Sequence, residues 1–159
     1  TLTSSRENLL KNASMNTIRK KLIKKVIELF KEVAEDDVKF KTFYEHFGKN
    51  VKLGIHEDGD SRKKLSSLLR LKSTESPDDL TSLDDYVSRM KDKQENIYFI
   101  AGESIDSIAH SPFVERQQTK GLEVLFCTEP IDEYCIQCLK DFEGKDFQNI
   151  TKEGLVLAE

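Results

Sequence analysis

Apolar residues in the first quarter of the chain recur at the spacing of an amphipathic helix. Between Met15 and Glu35 they fall three or four positions apart, and the basic residues lie mostly off that stripe. The pattern predicts one long helix with a solvated basic face. No aromatic residue is interleaved with its lysines, which argues against binding of single-stranded nucleic acid. The apolar stripe consists of Ile18, Leu22, Val26, Leu29, Phe30 and Val33.

Two further helices are predicted before residue 70. The first runs from Val38 to Phe47, where aromatic residues dominate the apolar positions, and Gly48 is expected to terminate it. The second runs from Arg62 to Leu69 after a turn, and Asp60 or Ser61 can cap it. The first part of the chain is therefore predicted to be helical.

The pattern changes in the second half, where short apolar runs alternate with helical segments. Ile97 to Ala101 and Leu122 to Cys127 each predict a buried strand. Strand, helix, strand, helix is typical of parallel pairing with right-handed crossovers. The predicted fold class is α/β: a helical connector followed by a small three-layer αβα lobe with a mainly parallel sheet. The other predicted elements are strands near 69–72 and 147–151 and helices at 82–93, 104–120, broken near Ser111-Pro112, and 131–139.

Net charge, the length of apolar runs and the number of cysteines exclude some classes of binding partner and site. The net charge is only −4, so no global field draws the chain to nucleic acid or to an anionic membrane. No apolar run approaches the roughly 20 residues that cross a bilayer. Three cysteines cannot form a disulfide framework and leave at least one thiol free. A soluble segment that recognises its partners locally is expected, without nucleic acid or membrane among them.

The glycines do not form a nucleotide-binding loop. Neither a GxGxxG nor a GxxxxGK[ST] pattern follows a predicted strand, so the backbone amides that cradle phosphate are missing. The nearest candidate, Ala101-Gly102-Glu103-Ser104, puts a carboxylate where phosphate would bind. We interpret it as a turn and helix cap.

The cysteines form a C-x-x-C motif at Cys135 and Cys138, with Cys127 at the end of the preceding strand. A thioredoxin-like motif belongs at a helix N-terminus, whereas these two lie inside the helix that Pro130 opens. A zinc site needs a fourth ligand, and the histidines have no paired spacing. Buried cysteines that act as small hydrophobic residues are the favoured interpretation, and no metal is predicted. The histidines are His46, His56 and His110.

Three carboxylates cluster after the second buried strand, at Glu129, Asp132 and Glu133. Sites in parallel sheets often form at this edge, which would suit general acid or base chemistry. Acidic residues in the first turn of a helix are also what its dipole favours, and no nucleophile or histidine is evident beside them. We favour the helix-dipole interpretation.

Seven short stretches occur in one collinear order across nearly the whole chain. They are Ser5-Arg6-Glu7, Ile18-Arg19-Lys20, Lys52 to Asp58, Arg62 to Leu65, Phe113 to Arg116, Glu129 to Tyr134 and Thr151 to Gly154. Together they resemble the ninety-kilodalton heat-shock protein (Hsp90) chaperone family, in its middle segment.

The resemblance implies a function and a set of partners. In this family the middle segment lies between an amino-terminal ATP-binding domain and a dimerising carboxy-terminal domain, and it contacts client proteins and co-chaperones during assisted folding. ATP, with Mg²⁺, would be bound by the domain outside this chain. The segment itself is expected to be monomeric and without enzymatic activity, and the full-length protein a homodimeric ATPase. The implied divisions are a catalytic-loop segment at 1–14, the helical connector at 15–69 and the lobe at 70–159.

One residue role follows from the resemblance. The family's Ser-Arg-Glu loop carries an arginine that reaches the ATP γ-phosphate when the amino-terminal domain docks, and this arginine corresponds to Arg6. Arg6 is therefore the predicted catalytic and cofactor-binding residue. Family members commonly have two glutamines four and five residues later, where this chain has Leu10 and Lys11. The second polar contact of the loop is therefore not predicted.

Two other functions remain open. A protein-binding scaffold without a catalytic role fits the same fold, and a stand-alone phosphoryl or small-molecule enzyme is disfavoured by the missing glycine-rich loop. For the compartment, some stretches resemble the endoplasmic-reticulum paralogue, endoplasmin, and others the cytosolic one; we lean to the reticulum lumen, with the cytoplasm as the alternative. The sequons at Asn12 and Asn149 do not decide this, because such triplets are common by chance.

Overall fold

The structure is a computed structural model that describes residues 2–151, with side chains from Ser5 onward. The last three residues of the Thr151 to Gly154 stretch therefore lie outside the described residues. The chain divides between Glu45 and His46 into two compact units. We call them the first unit and the second unit.

The first unit is built from two helices. Helix α1 spans Leu2–Ala34, and α2, Asp37–Glu57, begins in this unit. The sequence has no glycine or proline before Gly48, so nothing interrupts α1 upstream of the predicted start at Met15. Asp36 caps α2, since its Oδ1 accepts hydrogen bonds from the amides of Val38 and Lys39, at 3.1 Å each.

Aromatic side chains join the two helices of the first unit. The ring centroids of Phe30 and Phe43 are 4.4 Å apart, and Phe40 lies 5.6 Å from Phe43 and 5.8 Å from Tyr44. Such tilted and stacked pairs stabilise beyond the area they bury. The core of this unit is therefore mainly aromatic, with Ile27 also buried.

The predicted end of the second helix at Gly48 is wrong. Helix α2 continues through Gly48 to Glu57, because Val51 and Ile55 carry the apolar spacing onward and are both buried. A glycine inside a helix costs only about 1 kcal/mol, which such packing offsets. A later glycine, Gly54, allows close approach, since a Cβ there would lie 2.8 Å from Leu65 Cδ1.

The second unit contains a six-stranded mixed sheet in the order β2-β1-β4-β3-β6-β5. The three central strands are parallel, with β3 between β4 and β6, and this confirms the predicted parallel core. The outer pairings, β1 with β2 and β4, and β5 with β6, are antiparallel. The strands are β1 Arg70–Ser73, β2 Thr81–Ser82, β3 Asn96–Ala101, β4 Val124–Cys127, β5 Asp141–Phe142 and β6 Lys145–Asn149.

Helices cover this sheet in the arrangement that its strand order requires. The chain moves from β3 to β4 in one direction and then returns past β3 to β6. Crossovers between parallel strands are right-handed as a rule, and this rule places the helices of the two connections on opposite faces, as in the predicted αβα layers. The helices are α3 Arg62–Ser66, α4 Leu83–Ser88, α5 Ile105–Ile108, α6 Pro112–Thr119 and α7 Pro130–Leu139.

One apolar cluster fills the space beneath the first crossover. It joins the central strands to α5 and α6, and every member is at least nine-tenths buried. The carboxyl ends of β3 and β4 are thereby fixed relative to each other. The members are Ile100, Ile108, Val114, Val124, Phe126 and Ile150.

Helix ends and the shortest strands differ from the prediction. Helix α3 stops at Ser66 and α4 at Ser88, both earlier than expected, and Ser61 occupies the N-cap of α3 without a side-chain hydrogen bond. Strands β2 and β5 were missed because two residues carry no measurable periodicity. A tight turn joins β5 to β6, with positive φ at Glu143 (49°) and Gly144 (77°).

Candidate functional site

Arg6 is exposed on the first turns of α1. The family resemblance implied a loop at this position, whereas the structure places Arg6 within the helix. Among residues 5–151, no hydrogen bond or ion pair fixes its guanidinium. The group is thus available to an anion outside the chain.

The predicted apolar stripe of α1 is largely uncovered. Ile18 is 57% exposed and Leu22 61% exposed, and among residues 5–34 of this helix Ile27 alone is buried, at 3% exposure. An amphipathic helix ordinarily buries such a stripe, so this face of the first unit has the composition of a contact surface. Other exposed apolar residues on α1 are Leu9, Leu10, Met15, Val26 and Leu29.

A buried ion pair connects the second half of α2 to α7. Lys52 Nζ lies 2.7 Å from Asp132 Oδ1 and 3.4 Å from Glu129 Oε2. The Lys52 and Asp132 side chains are only 8% and 3% exposed. The other oxygen of Asp132, Oδ2, accepts a hydrogen bond from the Glu129 amide at 3.1 Å, as a helix cap does.

Asp132 and Glu129 connect α2 to α7 through Lys52. Burial raises the pKa of Asp132 above its usual value, and the adjacent Lys52 ammonium opposes that shift. The position of Asp132 and Glu133 in the first turn of α7 fits the helix-dipole interpretation. The sequence did not indicate Lys52 as the partner, because 77 residues separate it from Glu129.

The cysteines lie along the same contact between α2 and α7. Cys135 Sγ donates to the Lys52 carbonyl at 3.2 Å, and Cys138 Sγ lies 3.4 Å from His56 Nδ1. Burial raises the pKa of the Cys135 thiol to about 12 and that of Cys127 well above its usual value. Cys127 and Cys135 are buried thiols, as the sequence predicted, whereas Cys138 is only half-buried. No group of three metal-ligating side chains occurs within the described residues.

The turn after β3 is confirmed as a turn and cap. Ser104 is the N-cap of α5, and its Oγ accepts a hydrogen bond from the Ser107 amide at 3.2 Å. A Cβ on Gly102 would overlap Cγ2 of the core residue Ile108. The glycine is therefore required for packing.

Sequence reasoning missed one polar network in the second unit. Arg89 binds the buried carboxylate of Glu123 with two hydrogen bonds, at 2.8 and 2.9 Å, and Ser73 donates to the same carboxylate at 3.1 Å. The Tyr86 hydroxyl donates to the Glu123 carbonyl at 2.7 Å, and burial raises its pKa. The network is satisfied internally and connects α4, β1 and β4, so it stabilises the sheet edge.

No helix among residues 2–151 is both long and apolar enough to cross a membrane.

Comparison with known proteins identifies relatives for the whole chain. The sequence matches the family described as Hsp90 protein over residues 1–159. It is 54% identical to heat shock protein 83 of Leishmania donovani over 158 residues, which are 99% of this chain and 35% of that protein. The fold matches the middle domain of a Plasmodium falciparum heat shock protein with a TM-score of 0.82 and 34% identity, over 86% of this chain and 58% of that one. The chain thus spans about a third of the Leishmania relative.

Proposed function

Because the chain belongs to the Hsp90 family and corresponds to its middle domain, we propose that it serves as the middle segment of an ATP-dependent chaperone. In this role Arg6 supplies positive charge to the γ-phosphate of ATP held by an amino-terminal domain of the same protein. The observation that carries the proposal is an exposed arginine, without a partner among residues 5–151, inside the collinear Ser5-Arg6-Glu7 stretch.

The residues of this chain suit a mechanism in which another domain binds the nucleotide and this chain supplies an arginine. The sequence contains no glycine-rich loop that could hold the triphosphate, and the buried carboxylates and thiols of the second unit are committed to packing. A guanidinium that this segment supplies to a nucleotide bound in another domain can still stabilise the charge that develops during phosphoryl transfer. Hydrolysis would then require the two domains to close on each other, which couples the chemistry to conformational change.

The test is steady-state ATP hydrolysis by the full-length parent protein. Arg6→Ala should lower turnover on the order of a hundredfold while leaving nucleotide affinity intact, as for loss of a group that acts mainly in the transition state. Arg19→Ala is the matched control, because Arg19 is also an exposed arginine of α1. This control should hydrolyse ATP within about twofold of the wild type, since loss of a solvated charge changes little.

Unchanged turnover in Arg6→Ala would contradict the catalytic role. Equal losses in both arginine variants would also contradict it, because they would point to a general effect on α1. The isolated 159-residue chain is the blank, and activity there would revive the stand-alone enzyme.

The alternative is a protein-binding scaffold with no catalytic role. It is favoured by the exposed apolar side chains of α1, which suit contact with client proteins or co-chaperones. Binding of partner proteins is compatible with a catalytic role for Arg6, whereas a pure scaffold excludes that role. The Arg6→Ala measurement separates them, because a pure scaffold would leave turnover unaffected.

Other features of the parent protein complete the proposal. We expect ATP and Mg²⁺ in the amino-terminal domain, homodimerisation of the full-length protein and a monomeric segment. Residues 1–14 would serve as the catalytic segment, 15–69 as the connector and 70–159 as the lobe. For the compartment we now propose the cytoplasm, because 54% identity to heat shock protein 83 gives the endoplasmin-like interpretation no support.

A further inference from the structure

A groove on the second unit lies between α3, the start of α4, the end of α7 and the β5–β6 turn. It encloses about 350 Å³. Leu139 and Phe142 supply its apolar wall, and they are half-buried and buried, respectively. A space of this size can accept one long side chain and part of the backbone that carries it.

Carboxylates dominate the charge of the groove. Asp84, Asp141 and Glu143 line it together with a single basic residue, Lys63. All three carboxylates are on exposed residues, and none forms an ion pair with another residue among those described. Three negative charges against one positive charge leave a local excess of two negative charges.

The remaining polar groups of the groove are already used. Ser66 Oγ donates to the Lys63 carbonyl and Ser67 Oγ donates to the Lys64 carbonyl. The hydroxyl hydrogens are therefore not available to an anionic ligand. What the groove offers is acceptor oxygens above an apolar wall, which is the complement of a cationic side chain with an aliphatic stem.

We propose that this groove binds an arginine-bearing, extended segment of a partner polypeptide. The arginine stem packs against Leu139 and Phe142, and the guanidinium pairs with Asp141 and Glu143. Arginine suits the site better than lysine, because its planar group donates several hydrogen bonds in directions that match carboxylates. Asp84, which also lines the groove, contributes to attraction of the segment.

This inference goes beyond the proposed function, since it assigns a binding site that does not involve ATP. Its readout is peptide binding to the 159-residue chain, whereas the Arg6 proposal is read from ATP turnover of the parent protein. Either can fail without the other.

The experiment is a titration of the 159-residue chain into a fluorescein-labelled heptapeptide, Gly-Ser-Arg-Gly-Arg-Ser-Gly, followed by fluorescence anisotropy. Saturable binding is expected, with a peptide in which citrulline replaces both arginines binding at least about fivefold more weakly, which corresponds to about 1 kcal/mol. Amide chemical shifts in the NMR spectrum should change in residues 139–144 and near Lys63.

Two double variants locate the binding. Asp141→Asn with Glu143→Gln should weaken the arginine peptide about fivefold, because exposed charge pairs each contribute little. Glu103→Gln with Asp106→Asn removes the same two charge types from exposed positions outside the groove and should leave affinity within about twofold. Lys63→Ala should tighten binding, since it removes the one repulsive charge.

Three outcomes would overturn the proposal. One is the absence of saturable binding by the arginine peptide. The second is an equal loss in both double variants, which would mean attraction to net negative charge without a site. The third is a set of shifted amides that excludes residues 139–144. Because all the substituted side chains are exposed, loss of folding does not complicate these measurements.

Discussion

The two units of this chain differ in how far their apolar residues are buried. In the second unit the central strands carry residues that are inaccessible to solvent, since Ile97, Val124 and Leu125 are each 0% exposed. In the first unit α1 leaves most of its apolar stripe in solvent, including Leu22 at 61% exposure. The second unit therefore contains its own stabilising core, whereas the first presents surface to other structures.

The same contrast applies to charge. Lys52, Asp132, Arg89 and Glu123 of the second unit are paired, and at least one member of each pair is buried. Arg6 of the first unit is exposed and has no partner among residues 5–151. Charges paired in this way are committed to the fold, and removal of one partner is costly, whereas an exposed charge is available to another domain.

The largest effect is expected from breaking the buried ion pair. Lys52→Met should lower the free energy of unfolding by about 3 to 5 kcal/mol at neutral pH, because it leaves the Asp132 carboxylate buried without its partner. Urea denaturation of the 159-residue chain measures this. Adding Asp132→Asn, which keeps a cap acceptor without the charge, should restore most of the loss; no restoration would show that the pairing is not the cause.

The effect of Lys52→Met should also depend on pH in a defined direction. Burial raises the folded-state pKa of Asp132 above its ordinary 3.8, and removal of the ammonium withdraws the charge that opposes the shift. Below 3.8 the carboxyl is protonated in both states, so its contribution to stability is fully present there and is lost as pH rises through the folded-state pKa. The difference between variant and wild type should therefore shrink toward acid pH.

Truncation of matched leucines tests the contrast between the units directly. Leu125→Ala should cost about 2 to 5 kcal/mol of unfolding free energy, because it empties part of a sealed core. Leu22→Ala should change stability by less than about 0.5 kcal/mol, since the side chain is already in solvent. Similar losses for the two variants, measured in urea, would show that the stripe of α1 is covered.

A substitution in the turn after β3 is expected to have a smaller effect on the free energy of unfolding. Gly102→Ala should cost about 1 to 3 kcal/mol, because the new methyl group must displace Ile108 in the core. Gly59→Ala is the control, since a Cβ there meets nothing within 4 Å. If the two variants have the same midpoint in thermal denaturation, the close packing of Gly102 is not a constraint.

Thiol reactivity gives the smallest perturbation. At pH 7.5 the folded chain should release close to one equivalent of thionitrobenzoate rapidly from Ellman's reagent, from half-buried Cys138, while Cys127 and Cys135 react only on unfolding. Cys138→Ser should abolish the rapid phase. Rapid release of three equivalents would mean that the second unit opens readily.

Sequence reasoning recovered the elements whose signals are local. The alternation of strands and helices around Ile97 to Ala101 and Leu122 to Cys127 predicted the parallel core, and Ser111-Pro112 correctly marked the break between α5 and α6. The length of α2 was missed, because packing of Val51 and Ile55 overrides the unfavourable propensity of Gly48.

Partners distant in sequence were beyond prediction. Nothing local indicates that Lys52 pairs with Asp132, or that Arg89 binds Glu123, since each pairing depends on the completed fold. The groove beside the β5–β6 turn could not be predicted for the same reason, because the residues that line it are distant in sequence, from Lys63 to Gly144. Arg6 was found through a family resemblance, and its helical setting came from the structure.

The most direct test of the central claim is the single-turnover rate of hydrolysis of prebound ATP on the full-length parent protein, which separates domain closure and chemistry from nucleotide binding. With Arg6→Ala the first-order rate should fall on the order of a hundredfold relative to Arg19→Ala and the wild type. Equal rates for all three proteins would contradict the account and leave the segment as a binding scaffold.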